Sequence, residues 1–242
     1  MGSGFDGPWR QSGSLLCCLP SNPCGVLQFI GGSYLSTAPQ LSYRRFLESW
    51  CARDWAVLAW SYIPGFDHQA QADEAFTAFE RGLRLHGHLL GIPIWRMGHS
   101  LGCKLHLLAP DGGEGCAGAL LLSFNNFSAE RSVPMLADLA PRLGVASEFS
   151  PSPNETLRLV SVHYRQPRNL LVRFQRDTLD QSGRLLGVLR NRLQDHSELL
   201  VLPGDHLTPA SAGLRQSILG AWADAGRADT IDRLVTQLWA RL

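Results

Sequence analysis

Short, nearly continuous apolar runs alternate with stretches of helical spacing along most of the chain. Gly25–Ile30, Trp55–Trp60, residues 94–97, residues 117–124, Asn169–Phe174 and Glu198–Leu202 read as strands. They lack the every-other-residue polar pattern of a strand with one wet face, so they belong inside a sheet covered on both sides. Between them, residues 39–53 carry Leu41, Phe46, Leu47 and Trp50 at helical spacing. A longer helix, capped by Asp67, is predicted to run to about Leu89 with Ala75, Phe76, Phe79, Leu83 and Leu85 on its apolar face. Leu101, Leu105 and Leu108 mark the next helix, and residues 182–192 another. At the carboxyl end Ile218, Leu219 and Trp222, then Ile231, Leu234, Val235, Leu238 and Trp239, suit two helices or one broken near Gly226. This succession predicts an α/β fold: a mostly parallel central sheet with helices on both faces. The pattern weakens over 125–165, where a helix at 133–143 and a Ser/Pro loop at 149–154 predict a small cap or surface excursion. Residues 15–19 read as an edge strand, and residues 1–8 as a flexible lead-in to one domain spanning 1–242.

Bulk composition narrows the function classes. A chain of 242 residues, 45% hydrophobic and 18% charged, can bury a sizeable core. The net charge is +1 and the 22 Lys and Arg are scattered, so nucleic acid is not an expected partner. Lys104 is the only lysine. No run of 18 apolar residues is present and no basic-then-apolar leader opens the sequence, which predicts no transmembrane segment. Six cysteines show no metal-finger spacing and read as free, partly buried thiols of a reducing compartment. Together these features predict a cytoplasmic protein, compatible with peripheral membrane association. Neither a dinucleotide fingerprint nor a Walker motif occurs, so no cofactor is expected, and no complete metal-ligand spacing is present.

The most informative stretch is Gly98-His99-Ser100-Leu101-Gly102, which fits Gly-x-Ser-x-Gly between an apolar strand and an apolar helix. A serine held on a strand-to-helix turn needs close backbone approach on both sides, which two glycines allow. Such a turn presents the Ser100 hydroxyl above the sheet edge, with the Leu101 backbone N–H beside it. A serine hydroxyl becomes a nucleophile when a neutral histidine takes its proton and a carboxylate fixes the other ring nitrogen.

The chain order Ser, acid, His places all three groups after parallel strands, where strand ends meet along one edge. His206, in the turn after the last strand, is the expected base. Asp177, three residues beyond Phe174, is the expected acid, with Asp180 the alternative and Asp205 a turn residue. Gly31-Gly32-Ser33, after the Gly25–Ile30 strand, offers backbone N–H groups of Gly32 or Ser33 as partners to Leu101 in an oxyanion hole. Tyr34, Trp60, Tyr62, Phe66, Phe124 and Phe127 sit near strand ends as candidate pocket residues for a small acyl or lipid-like substrate. His68 is a further candidate for touching substrate or ordering the site, and His99 for orienting the turn.

The motifs FIGGSY at 29–34, YRRFLE at 43–48, FDHQA at 66–70, GHSLGCKLH at 98–106, SPSPNETLRL at 150–159, NLLVRFQRDTLD at 169–180 and LPGDHLTP at 202–209 carry a resemblance. Over roughly 9–210 the chain resembles an uncharacterised protein family of cyanobacteria and plant plastids that looks like a branch of the α/β-hydrolase superfamily. The resemblance implies the hydrolase sheet, a nucleophile at Ser100 and a base at His206, with no substrate attached. Phe29-Ile30-Gly31-Gly32 stands where many esterases have a His-Gly-Gly motif, a departure that weakens direct analogy to lipases. The expected activity is serine hydrolysis of a carboxylic ester or related acyl group. The alternatives are a non-catalytic scaffold that uses the cleft for a ligand or partner, and an acyl transferase or lyase using the same three residues.

Overall fold

The computed structural model describes residues 8–33, 35–129, 148–210 and 222–242. Eight strands form one sheet: β1 (Trp9–Ser12), β2 (Leu15–Cys18), β3 (Gly25–Ile30), β4 (Trp55–Trp60), β5 (Ile94–His99), β6 (Gly118–Leu122), β7 (Asn169–Phe174) and β8 (Glu198–Leu202). Their spatial order is β1-β2-β4-β3-β5-β6-β7-β8. The first three of these pair antiparallel, and every pair from β4 onward is parallel. β3 therefore lies between β4 on one side and β5 on the other. The chain reverses its direction of travel across the sheet there, which opens a crevice at the carboxyl ends of β3 and β5.

Alternation within the buried strands divides the core. Leu27 and Phe29 of β3, Val57 of β4, Met97 of β5 and Leu120 and Leu122 of β6 face one layer. That layer is closed by α2 (Arg44–Cys51) and by α7 (Trp222–Trp239), through Phe46, Leu47 and Trp50 and through Ile231, Leu234, Val235 and Leu238. Val26, Ile30 and Leu58 face the other side, against α3 (His68–Leu85) and α4 (Leu101–Leu107). Leu121 and Leu171 extend that side to α5 (Pro153–His163) and α6 (Ser182–Arg190). Both faces are covered, as the nearly continuous apolar runs require.

Several sequence expectations change in detail. The 39–53 segment is two helices, α1 (Pro39–Ser42) and α2, parted at Tyr43, which is buried and packs edge-on against Phe29 at 4.8 Å. Leu41 is exposed because it falls on the outer side of α1. Asp67 does cap α3, accepting from Ala70 N–H at 2.9 Å, but the helix ends at Leu85, which faces solvent, and a short 3-10 turn, Gly87–Leu89, follows. β2 is an interior strand: β1, which the sequence pattern missed, covers its open side. The carboxyl-terminal helix α7 runs through Gly226 without a break, while Ile218 and Leu219 lie outside the described residues.

Two cysteines contradict the expectation of six free thiols. Cys18 of β2 and Cys51 at the end of α2 form a disulfide, made possible because Cys18 faces the α2 layer. Cys17, Cys24, Cys103 and Cys116 are free. The cysteine-based expectation of a reducing compartment loses its basis. Among the described residues no helix is long and apolar enough to cross a membrane.

Of the expected cap over 125–165, residues 125–129 and 148–165 are described. Its last part is α5, whose Leu157 and Val160 pack into the main core beside α6. The helix expected at 133–143 lies outside the described residues. Residues 125–129 and 148–152 cross the carboxyl edge of the sheet, and Ser150 bridges to Asp67 at the start of α3.

Candidate active site

The turn between β5 and α4 carries Ser100 at φ 56° and ψ −119°, a backbone conformation rare for a residue with a Cβ. The flanking glycines explain how the chain tolerates it. A Cβ on Gly102 would lie 2.0 Å from the Ile30 carbonyl oxygen, and one on Gly98 would lie 2.5 Å from Cys103 N. Each position needs the room that only glycine leaves. Ser100 N–H donates to Leu122 O at 2.9 Å, tying the turn to β6.

Two other strand ends deliver the remaining groups. Nε2 of His206, in the turn after β8, lies 3.1 Å from Ser100 Oγ. Its Nδ1 lies 2.9 Å from Asp177 Oδ2, in the turn after β7. Because a carboxylate only accepts, the Nδ1 atom carries the proton and Nε2 is left to receive one from serine. Burial opposes charge on Asp177, but the bond from His206 and a donation from Leu179 N–H hold its carboxyl below the ordinary aspartate value. Asp180, the alternative acid, is turned away. It accepts from the Ser182 N–H and hydroxyl at the start of α6, and burial raises its pKa. Asp205 accepts from Leu207 N–H as a turn residue.

The glycine loop after β3 packs directly against this centre. A Cβ on Gly32 would meet Ser100 Cβ at 3.1 Å. Its N–H, however, donates to the Tyr43 hydroxyl at 2.9 Å and is spoken for. The Ser33 and Leu101 N–H groups have no acceptor among the described residues. Tyr43 continues a chain that sequence reasoning missed: its hydroxyl lies 2.8 Å from His99 Nδ1, and His99 Nε2 lies 2.8 Å from the His206 carbonyl oxygen. Burial drives His99 down to about 3, so the ring is neutral. Its Nε2–H must therefore donate to the His206 carbonyl while its Nδ1 accepts from Tyr43. No periodicity marks Tyr43 for this role, although it opens the YRRFLE motif at 43–48.

A cavity of about 670 Å³ opens over Ser100. Of the candidate pocket residues, His68 and Phe127 line it, and Tyr34 lies outside the described residues. Tyr62 instead stacks on Trp60 at 4.4 Å and donates to Gly31 O, Phe66 packs on Phe149, and Phe124 is core. Those aromatic rings found partners within the protein. Leu35, Leu179 and Leu207 supply apolar wall that the sequence did not mark, and Lys104, Phe149 and Arg176 also line the cavity. Among the described residues no group of acidic, His and Cys side chains is arranged to hold a metal ion.

A switch-point crevice, a strained serine turn and an aligned Ser-His-Asp series define the α/β-hydrolase class of fold with its triad assembled. Within it, the chain belongs to DUF1350, a family of proteins of unknown function, whose profile matches residues 8–227. No curated protein matches the sequence. Among solved structures it resembles carboxyl esterase 2 from the fungus Tuber melanosporum, at 18% identity and TM-score 0.58, over 92% of this chain and 80% of that one. It also resembles Thermogutta terrifontis esterase 2 phosphonylated by sarin, at 16% identity and TM-score 0.57, over 91% and 87%. A thioesterase domain from the curacin biosynthetic pathway aligns at 15% identity and TM-score 0.54, over 87% and 97%. At these identities the likeness is one of fold.

Proposed function

We propose that the protein is a serine hydrolase that cleaves a carboxylic ester or related acyl substrate through an acyl-enzyme. The observation that carries this reading is the unbroken line from Ser100 Oγ through the His206 ring to Asp177. Ser100 attacks the acyl carbonyl as His206 Nε2 takes its proton, and Asp177 stabilises the imidazolium that forms. The oxyanion is received by the backbone N–H groups of Leu101 and Ser33, with Gly32 shaping the loop rather than donating. His206 then protonates the leaving group and next activates a water that releases the acyl group from Ser100. The apolar wall of Leu35, Phe127, Leu179 and Leu207 suits an acyl chain or a lipid-like alcohol.

A fluorophosphonate probe tests the reading. It is expected to label the folded protein on the peptide carrying Ser100, and Ser100→Ala is expected to remain unlabelled and inactive in an acyl-ester screen. An unlabelled wild type, beside a labelled control hydrolase, would overturn the reading and favour a scaffold role for the cleft.

A further inference from the structure

Lys104 stands one helical turn beyond Ser100 on α4, with its Cα about 6 Å further along the helix axis. It is 1% exposed, yet it lines the cavity. A buried ammonium is costly unless its charge is met and its three N–H donors are used. Among the described residues it has one hydrogen-bond acceptor: Lys104 Nζ donates to the Pro151 carbonyl oxygen at 2.9 Å. Among the described residues no carboxylate comes within ion-pair distance of it. Glu148, the acidic side chain whose field it feels, accepts instead from the N–H groups of Ala129 and Phe149.

His68 is the second unmet group. It is 2% exposed and lines the same cavity, and its ring nitrogens make no hydrogen bond of normal geometry among the described residues, the Gly65 backbone exerting only a weak pull. Both side chains meet at Phe149: the His68 ring centroid lies 4.3 Å from that ring, and Lys104 Nζ lies 5.8 Å from its centroid. Burial, reinforced by the charge on Lys104, pushes His68 down to about 3, so it is neutral and offers one N–H. Burial pulls Lys104 down only to about 8, so it is mostly charged at pH 7. The exposed Arg176 adds a second cation to the cavity lining. The carboxylates that line it, Asp177 and Asp205, are bound to His206 and to the Leu207 turn.

We propose that Lys104 and His68, both beside Phe149, form a subsite for a negatively charged oxygen group on the substrate, so that the enzyme selects anionic acyl esters over neutral ones. The inference rests on the hydrolase reading for the word ester, but the anion subsite stands on binding alone. The Lys104 ammonium supplies the charge and two donors without an acceptor among the described residues, and the His68 N–H a third. Phe149 keeps water from screening the contact, and an acyl chain bearing a terminal carboxylate spans from Ser100 to this end of the cavity.

Calorimetry on Ser100→Ala protein, which cannot turn the ligand over, tests the subsite without relying on catalysis. Monomethyl adipate, an anion, is expected to bind at least tenfold more tightly than methyl hexanoate, its neutral counterpart of equal chain length. In the Ser100→Ala background Lys104→Met is expected to erase that difference and Lys104→Arg to keep most of it. Equal binding of the two ligands by the parent protein, or a preference that survives Lys104→Met, would overturn the subsite. If Lys104→Met fails to fold, the comparison of the two ligands on the parent protein decides alone. Labelling of Ser100 by the fluorophosphonate is scored separately. Tight adipate binding with an unlabelled serine would sink the hydrolase reading and leave the subsite, whereas a labelled serine with no anion preference would do the reverse.

Discussion

Nε2 of His99 lies 2.8 Å from the backbone carbonyl oxygen of His206. The residue beside the nucleophile thus holds the main chain of the base, and the base's own side chain is free to work with Ser100 and Asp177. Through Nδ1 the same ring reaches Tyr43, whose hydroxyl also takes the Gly32 N–H. One buried relay therefore fixes the glycine loop, the nucleophile turn and the histidine turn relative to one another.

Tyr43→Phe removes the hydroxyl and leaves the Gly32 N–H and His99 Nδ1 unpaired in the interior. Stability is expected to fall by about 1–3 kcal/mol. The value of kcat is expected to drop about tenfold with little change in KM, since a small misplacement of the base acts on the transition state. Burial raises the Tyr43 pKa, so the hydroxyl does not ionise near neutrality and the shape of the pH–rate profile should be unchanged. Steady-state kinetics across pH would show this; a shifted limb would argue that Tyr43 takes part in proton transfer.

Asp177→Asn keeps the shape of the acid but offers His206 a group that stabilises the wrong tautomer. A loss of about 10⁴ in kcat is expected, by analogy with other Ser-His-Asp enzymes. The companion change Asp180→Asn should leave the rate within a few fold, because that carboxylate serves the start of α6. Comparing the two variants on one ester separates the acid from its neighbour, and a larger loss for Asp180→Asn would reverse the assignment.

Arg96, the polar break in β5, is 5% exposed and makes two 2.7 Å bonds to Asp111. Burial opposes charge on Asp111, but Arg96 and the N–H groups of Gly113 and Gly115 hold its carboxyl below the ordinary value. Its folded pKa lies under its unfolded one, so the stabilisation is complete above the unfolded pKa near 4. It is lost as pH falls through the folded value. Asp111→Asn strands the buried guanidinium and is expected to cost about 3–5 kcal/mol at pH 7. Urea denaturation at pH 7 and pH 3 should find the variant's loss smaller at the acid end; an equal loss at both would discount the ion pair.

The two glycine classes in the structure make opposite forecasts. Gly102→Ala drives a methyl into the Ile30 carbonyl and should lower stability by about 3 kcal/mol or more, with activity lost as the Ser100 turn shifts. Gly187→Ala, inside α6 with nothing within 4 Å, should raise stability by about 0.5–1 kcal/mol and leave activity alone. Thermal melts of both variants would settle whether close approach, rather than glycine content, protects the turn.

Much of this arrangement was legible because strand ends announce themselves. Ser100, Asp177 and His206 each follow a buried apolar run, and parallel strands bring such positions to one edge. What escaped was whatever depends on side chains meeting across the core. Tyr43 sits in a segment whose spacing says only helix, and Phe149 in a Ser/Pro loop. Lys104 stands out in the sequence as the only lysine, but its burial and its bond to the Pro151 carbonyl are not readable from spacing. The pocket aromatics failed for the converse reason: Tyr62 and Phe124 met internal partners, an outcome that periodicity does not distinguish from lining a cleft. The disulfide is hidden because the sequence does not say which face of residues 15–19 meets α2.

Ile30 pairs with Gly98 in the sheet, yet the chain travels through α1, α2, β4 and α3 between them. The Gly32 loop and Ser100 therefore become neighbours only through a contact of long sequence separation, the kind whose loop-closure entropy slows folding. Helices and the β1–β2 hairpin can form early without creating any reactive centre. On the proposed hydrolase reading, ester cleavage during refolding is expected to begin only once β5 has docked beside β3.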